Sequence, residues 1–141
     1  RTEEVGNMAS AVSGYMPVRE KLVELQKQLA AKENVIMDGR DIGTCVLPDA
    51  PAKIYLTASV EVRAARRYKE LLEKGMKADL KEIEKDIEDR DYRDMHREHS
   101  PLKQAEDAVL LDTSSMTLDQ VVEEILKIVR EKGYKAAGGC A

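Results

Sequence analysis

The sequence contains no tryptophan and no phenylalanine, so tyrosine is its only aromatic residue. A core built from this chain must therefore be aliphatic, filled mainly by valine, isoleucine, leucine and methionine. Only two cysteines occur, Cys45 and Cys140, which are too few for a disulfide framework and are interpreted as unpaired thiols. No apolar run approaches the length of a membrane span, and no signal peptide is visible. These absences argue against a disulfide-stabilised secreted domain and against a membrane protein.

The 141 residues carry a formal net charge of −4, with 43% hydrophobic and 35% charged residues. This balance is typical of one globular domain, or a part of one, and is too hydrophobic for a disordered chain. The mild negative charge argues against a protein that coats nucleic acid, although local arginine clusters can still bind a small anion. We therefore expect a cytoplasmic protein whose partners include neither nucleic acid nor a membrane.

Apolar residues at helical spacing predict helices over residues 18–32, 60–74 and 79–97. The motif Thr117-Leu118-Asp119-Gln120 matches a capping box and predicts the start of a last helix that runs to about Lys132. Residues 1–17 are mixed in character and rich in small residues. Helices of this length can pack on a sheet, and the strands between them decide its type.

Three short apolar runs, at 35–37, 54–56 and 108–111, predict buried strands. Strands that alternate with helices indicate an α/β fold with a parallel sheet. Ligands bind such sheets outside the carboxyl ends of the strands. The loop that starts at Asp38 begins at this edge.

Asp38, Arg40 and Asp41 lie on that loop, which Gly39 and Gly43 make conformationally free. An ordinary solvated loop is one interpretation of these charges. Their position favours a functional one, because an aspartate directly after a buried strand can hold Mg²⁺ near a nucleotide phosphate. The loop is therefore a candidate binding site.

The helix over residues 79–97 changes from apolar to charged along one face. Ile83 and Ile87 belong to its buried stripe, and helical spacing continues this stripe through charged residues. Two of them, Arg90 and Asp94, could equally form an i,i+4 pair on a solvated face. Charges that extend a buried stripe instead indicate a polar cavity suited to an anionic, hydroxyl-bearing ligand. The charged positions of the stripe are Arg90, Asp94 and Arg97.

Two further groups of side chains carry weaker signals. Three arginines lie near the start of the helix after the second strand, where they could bind a polyphosphate or simply lie on the surface. They are Arg63, Arg66 and Arg67. His96 and His99 have no cysteine or third histidine to complete a metal site, so we do not expect bound zinc.

Several stretches together resemble the bacterial cytidylate kinase family of nucleoside monophosphate kinases. The resemblance spans residues 1 to about 130, with the motifs in the family's order. It implies a P-loop nucleoside monophosphate kinase-like fold and transfer of the γ-phosphoryl group of ATP to CMP or dCMP, with Mg²⁺. The stretches that carry it are "RTEEVGNMASAVSGYMPVRE", "VIMDGRDIGT", "VLPDAPAKIYLTASVEVRAARRY", "RDYRDMHREHSPL" and "AEDAVLLDTSSMTLDQVVEEIL".

The resemblance also implies roles for individual side chains, among which Arg40, Arg97 and Asp38 would support catalysis. Phosphoryl transfer requires alignment and charge neutralisation, which arginines and a metal-associated carboxylate supply. The implied contacts are Ser10, Arg19 and Asp41 with the cytosine, Arg40 and Arg97 with the CMP phosphate, Arg90 and Asp94 with the sugar, Asp38 with Mg²⁺ through water, and Arg63 and Arg67 with ATP.

The family's phosphate-binding loop, G-x-x-x-x-G-K-[ST], does not occur in this sequence, which begins at Arg1 without methionine. We therefore expect the C-terminal portion of such a kinase, inactive alone, whose parallel sheet lacks its central N-terminal strand. A missing N-terminal fragment or dimerisation would then complete the sheet. Alternatives are a kinase for another monophosphate and a non-catalytic nucleotide-binding or oligomerising module.

The resemblance to the family also implies how the chain is organised. It comprises a remainder of the CMP-binding subdomain with a connecting helix, an α/β core made of two separate stretches, a mobile lid region and a disordered tail. The predicted bounds are, respectively, 1–34, then 35–67 with 105–132, then 68–104, and 133–141.

Overall fold

The structure, a computed structural model, describes residues 3–13 and 15–133, with the backbone alone at Glu3, Ser10 and Ser13. The predicted disordered tail, 133–141, lies outside this part except for Gly133. Within it, five α-helices, one short π-helical turn and two β-strands follow one another. Their bounds in chain order are α1 Glu3–Ser13, α2 Met16–Lys32, the π turn Ile42–Val46, β1 Ile54–Thr57, α3 Val60–Glu73, α4 Leu80–Met95, β2 Val109–Asp112 and α5 Leu118–Glu131.

The two strands form a parallel sheet, which confirms the predicted strands at 54–56 and 108–111 and the α/β class. Ile54 pairs with Val109 at one end and Thr57 with Asp112 at the other. Pairing continues one residue further, because the backbone nitrogen and the hydroxyl of Thr113 both donate to the Thr57 carbonyl, at 2.8 and 3.1 Å. The carboxyl ends of both strands therefore lie together.

The predicted strand at 35–37 is wrong for this structure. Residues 34–38 have no regular secondary structure, and Ile36 is fully exposed, at 101% of its reference area. A strand needs a neighbour to accept and donate its backbone hydrogen bonds. Among the described residues, the only paired strands are β1 and β2, which pair with each other. The apolar run therefore has no partner that would bury it.

Side chains at the helix ends explain where the helices begin. The side chains of Ser59 and Asp79 accept backbone hydrogen bonds at the first turns of α3 and α4. The predicted capping box of α5 is confirmed, with Gln120 N donating to Thr117 Oγ1 at 3.3 Å and Thr117 N donating to Gln120 Oε1 at 2.9 Å. After α3 the chain turns at Gly75, whose φ of +71° favours glycine.

The apolar core of the described residues is small. α3 packs against α4, α1 against α2, and α2 against the π turn. Many large apolar side chains nevertheless stay exposed, so the chain does not cover its own apolar surface. Within the described part, none of the helices combines the length and apolar character needed to cross a bilayer. The buried apolar residues are Val46, Ala58, Ala64, Leu111 and Ile128.

Candidate functional site

The charged loop of residues 38–41 is held by the π turn that follows it. The backbone nitrogens of Cys45 and Val46 both donate to the Asp41 carbonyl, at 2.9 and 3.2 Å, and the Val46 side chain is buried. A Cβ atom at Gly39 would stand only 2.9 Å from Cγ1 of Ile42. A side chain at this position would therefore force Ile42 to shift, because Ile42 packs closely over the glycine. No pattern in the sequence predicts this π turn.

Two ion pairs join the predicted nucleotide-binding residues to one another. Arg19 of α2 pairs with Asp41, and both side chains are only about one-eighth exposed, at 13% and 12%. Arg40 Nε donates to Oδ2 of Asp94 on α4 at 3.0 Å. These contacts span 22 and 54 residues of sequence. The structure therefore brings together four side chains that the sequence analysis assigned to one ligand.

Arg97 completes the group from the turn after α4. Its Nη2 donates to the carbonyl of Ser100 at 3.0 Å, and Ser100 has a left-handed backbone with φ of +50°. Its Nε is buried and finds no acceptor among the described residues. A buried unpaired donor is costly, so this nitrogen suits an acceptor supplied from outside the described chain. The backbone of Asp94 is tied to the same turn, since Leu102 N donates to its carbonyl at 2.7 Å.

One groove of about 200 Å³ beside α2 is lined by these side chains, with the exception of Asp94. Its lining carries three guanidinium groups and one carboxylate, so the groove has a positive character that suits an anion. Leu22 and Val23 supply apolar area beside these charges. The full lining is Arg19, Leu22, Val23, Gln26, Arg40, Asp41 and Arg97.

The structure does not bring all of the predicted site residues into this groove. Asp38 and Arg90 are exposed, and the predicted base contact of the Ser10 side chain lies outside the described residues. The prediction that Arg90 continues the buried stripe of α4 is wrong, because Asp91 is half-buried in its place. Both positions fit helical spacing between Ile87 and Asp94, so the sequence pattern alone could not choose between them.

The two arginines assigned to ATP have carboxylate partners in this structure. Arg63 donates from Nη1 and Nη2 to the two carboxylate oxygens of Asp91, at 2.9 and 2.6 Å, which raises the pKa of its guanidinium. Arg67 donates to Glu70 at 3.0 Å, and hydrogen bonds from Lys74 and then Arg67 lower the pKa of the Glu70 carboxyl. Both terminal nitrogens of Arg63 are thus engaged by Asp91, whereas Arg67 uses Nη1 alone for Glu70.

Asp38 is the residue whose chemistry suits the implied Mg²⁺. The described residues contain no group of three or more histidine, cysteine, aspartate or glutamate side chains that could hold a metal ion alone. Magnesium is usually held by one or two carboxylates together with water and substrate phosphates. The exposed carboxylate of Asp38 fits that donor set, with the other ligands coming from nucleotide and water.

The parallel strands and the guanidinium-lined groove define the chain as an α/β protein with a positively charged site. The family model for cytidylate kinase matches residues 1–131, and the chain belongs to the cytidylate kinase family. Over 132 residues, 94% of the chain, it is 57% identical to the cytidylate kinase of Lactobacillus johnsonii. Over 125 residues, 89% of the chain, it is 56% identical to that of Streptococcus pneumoniae. These matches span 57% and 56% of the length of the two relatives.

Proposed function

We propose that this chain provides the monophosphate-binding part of a cytoplasmic kinase that transfers the γ-phosphoryl group of ATP to CMP or dCMP, with Mg²⁺. The observation that carries the proposal is that Arg19, Arg40 and Arg97 line the same groove. The Nε of Arg97 is buried and has no hydrogen-bond acceptor among the described residues. Membership of the cytidylate kinase family supports the reaction class. Because the chain spans little more than half the length of its relatives, the complete reaction belongs to the proposal.

Different side chains at the groove would bind different parts of the substrate. Arg40 and Arg97 would hold the phosphate and neutralise charge as it develops, since guanidinium forks match phosphate oxygens. Asp94 would accept from sugar hydroxyls, and the Arg19–Asp41 pair would meet the base. Bound Mg²⁺ would neutralise charge between the two substrates' phosphates.

The ion pair between Arg40 and Asp94 implies an exchange of partners on binding. The groove of about 200 Å³ is smaller than the roughly 300–1,000 Å³ of typical small-molecule sites. A nucleotide could separate the pair, because its phosphate can replace Asp94 at Arg40 while its sugar replaces Arg40 at Asp94. The Asp94 carboxylate, whose side chain is only 10% exposed, would keep a hydrogen-bond donor throughout, which avoids the cost of an unpaired buried charge.

Calorimetric titration with CMP tests the arginine assignments. Arg40→Ala and Arg97→Ala should each weaken CMP binding by about 10- to 100-fold, because hydrogen bonds to charged groups contribute about 1.5–3 kcal/mol. Arg93→Ala is the matched control, since Arg93 is exposed and, within the described part of the chain, donates only to the Asp89 carbonyl of α4. Unchanged CMP affinity in both groove variants would contradict the proposal.

Asp94→Asn tests the exchange of partners separately. The substitution removes the carboxylate that occupies Arg40, so inorganic phosphate should bind more tightly while CMP, which loses a sugar contact, should bind more weakly. Opposite shifts in the two dissociation constants would support the exchange. If the dissociation constants of phosphate and CMP shifted in the same direction, the proposed exchange of partners at Arg40 and Asp94 would be contradicted.

Two alternative functions are distinguished by simple measurements. A kinase for another monophosphate would bind UMP or AMP more tightly than CMP in the same titration. A non-catalytic oligomerising module is favoured by the many exposed apolar side chains, and would form a folded dimer that binds no CMP. We expect the chain alone to bind CMP without phosphorylating it, and to need either an N-terminal segment or a second chain to complete its sheet. ATP-dependent formation of CDP by the purified chain would contradict this expectation.

A further inference from the structure

The apolar contacts of α4 end halfway along the helix. Ile83 and Ile87 are half-buried, but the large apolar side chains beyond them, Tyr92 and Met95, are 65% and 48% exposed. The second half of α4 nevertheless carries Asp94, one of the few buried charged residues in the described chain. Hydrophobic packing therefore does not explain how this half of the helix is oriented.

Arg63 of α3 makes the contact with the most constrained geometry to this half of α4. Its Nη1 and Nη2 donate to Oδ1 and Oδ2 of Asp91 at 2.9 and 2.6 Å, and its Nε donates to the Ala58 carbonyl at 2.9 Å. Two parallel bonds between a planar guanidinium and a carboxylate fix direction as well as distance. The third bond joins the same guanidinium to the backbone just after β1. The Arg63 side chain therefore fixes the position of α4 relative to the sheet.

Asp91 lies three residues before Asp94, which places the two carboxylates on the same side of α4. We propose that Arg63 and Asp91 are positioning residues that fix the rotation of α4 about its axis and thereby hold Asp94 against Arg40 of the groove. The proposal rests on the nucleotide-binding function assigned to that groove. Rotation of α4 would carry Asp94 away from Arg40, since a carboxylate on a helix moves with the helix.

This role differs from the ATP contact that the resemblance implies for Arg63. In a contact with ATP, Arg63 would act directly and Asp91 would contribute nothing specific. In the positioning role the two residues act as a unit, so removing either one removes the whole effect. Arg63→Lys keeps the positive charge but should also lose the positioning effect, because a lysine ammonium cannot form two parallel hydrogen bonds.

The experiment compares Arg63→Gln, Arg63→Lys, Asp91→Asn and the double variant Arg63→Gln/Asp91→Asn in the full 141-residue chain. Lys69→Gln is the matched control, six residues along α3, where the exposed lysine pairs with exposed Glu73. Amide hydrogen exchange over residues 88–95 and over α5 is measured by mass spectrometry, and CMP affinity by calorimetry.

Each variant at 63 or 91 should increase exchange over residues 88–95 at least severalfold, leave α5 unchanged, and weaken CMP binding about tenfold. The double variant should be no worse than either single one, and Lys69→Gln should match the unmodified chain. Equal increases in exchange over α5 would show general destabilisation and overturn the proposal. Additive losses of CMP affinity in the double variant, or unchanged exchange over residues 88–95, would also overturn it.

The two readouts separate this inference from the proposed function. If the unmodified chain bound no CMP, the proposed function would fail, while hydrogen exchange over residues 88–95 would still decide whether Arg63 and Asp91 hold α4. Hydrogen exchange over residues 88–95 could rise as expected while CMP affinity stayed unchanged. Arg63 and Asp91 would then hold α4 but would not position Asp94 for CMP binding. That result would overturn the positioning role and leave the CMP site intact.

Discussion

Lys53 is a buried cation at the amino end of β1, with only 8% of its surface exposed. Its ammonium donates to the Pro48 carbonyl and, at 2.9 Å, to Oδ1 of Asp107. A buried ammonium without partners would cost several kcal/mol, so these two acceptors make its burial possible. The contact joins the segment before β1 to the segment before β2, at the opposite end of the strands from their carboxyl ends.

The Lys53 contact predicts a specific pH dependence. The hydrogen bond from Lys53 lowers the pKa of the Asp107 carboxyl below the ordinary value of about 3.9. The carboxylate therefore stabilises the fold above about pH 4, and this contribution is lost as the pH falls through the lowered pKa. Asp107→Asn should reduce the free energy of unfolding in urea at pH 7, but have a much smaller effect near pH 2.

Asp49→Asn is the control for this measurement, because Asp49 is also an exposed aspartate in a connecting segment. It should change the free energy of unfolding little at either pH. If Asp107→Asn destabilised the chain equally at both pH values, the contribution of Asp107 would not depend on its charge.

At the scale of elements, the helices followed from the sequence because their signals are local. Apolar spacing and capping side chains predicted α2 to α5 within a few residues, although α1 carried no pattern that the sequence analysis used. The strand at 35–37 failed because a strand is completed by a neighbour, which the local sequence does not show. The Arg19–Asp41 and Arg40–Asp94 pairs could be expected only through the family resemblance, since each joins distant segments.

Opposite outcomes are predicted for alanine substitutions at two glycines, Gly39 in the charged loop and Gly6 in α1. Gly39→Ala should lower the free energy of unfolding by about 1 kcal/mol or more and weaken CMP binding, because its Cβ would collide with Ile42 beside Arg40 and Asp41. Gly6→Ala should instead raise the free energy of unfolding by roughly 0.5–1 kcal/mol, because a Cβ at Gly6 in α1 meets nothing within 4 Å. Thermal and urea unfolding of both variants checks the contrast. Destabilisation by both substitutions would contradict the close approach at Gly39 as the cause.

At the scale of the whole molecule, exposed apolar side chains predict self-association. Leu118, Val122 and Leu126 follow one another at helical spacing along α5 and are 78%, 48% and 46% exposed. A contiguous apolar face of this kind is rarely left in water by a monomeric protein. Sedimentation should therefore give an average mass that rises with protein concentration, and Leu118→Lys/Leu126→Lys should reduce that rise. Glu123→Lys on the same helix controls for the added charge.

A mass equal to that of one chain at every concentration would contradict this expectation. So would an equal reduction by the control, since that would point to net charge rather than to the apolar face. Binding of the part of a relative that this chain does not match should compete with self-association if both cover the same surface.

The unpaired segment at 34–38 also decides where the chain is open to hydrolysis. A protease can act only on a backbone free of helix and sheet hydrogen bonds, and these residues already meet that condition. Lys32 and Arg40 stand on either side as cleavage points for a protease that cuts after basic residues. A cut after Lys32 leaves Arg19 on one fragment and Arg40 with Asp94 on the other, whereas a cut after Arg40 separates Arg40 from Asp94. The proposed substrate site would thus be divided in two while the parallel strands remained on a single fragment.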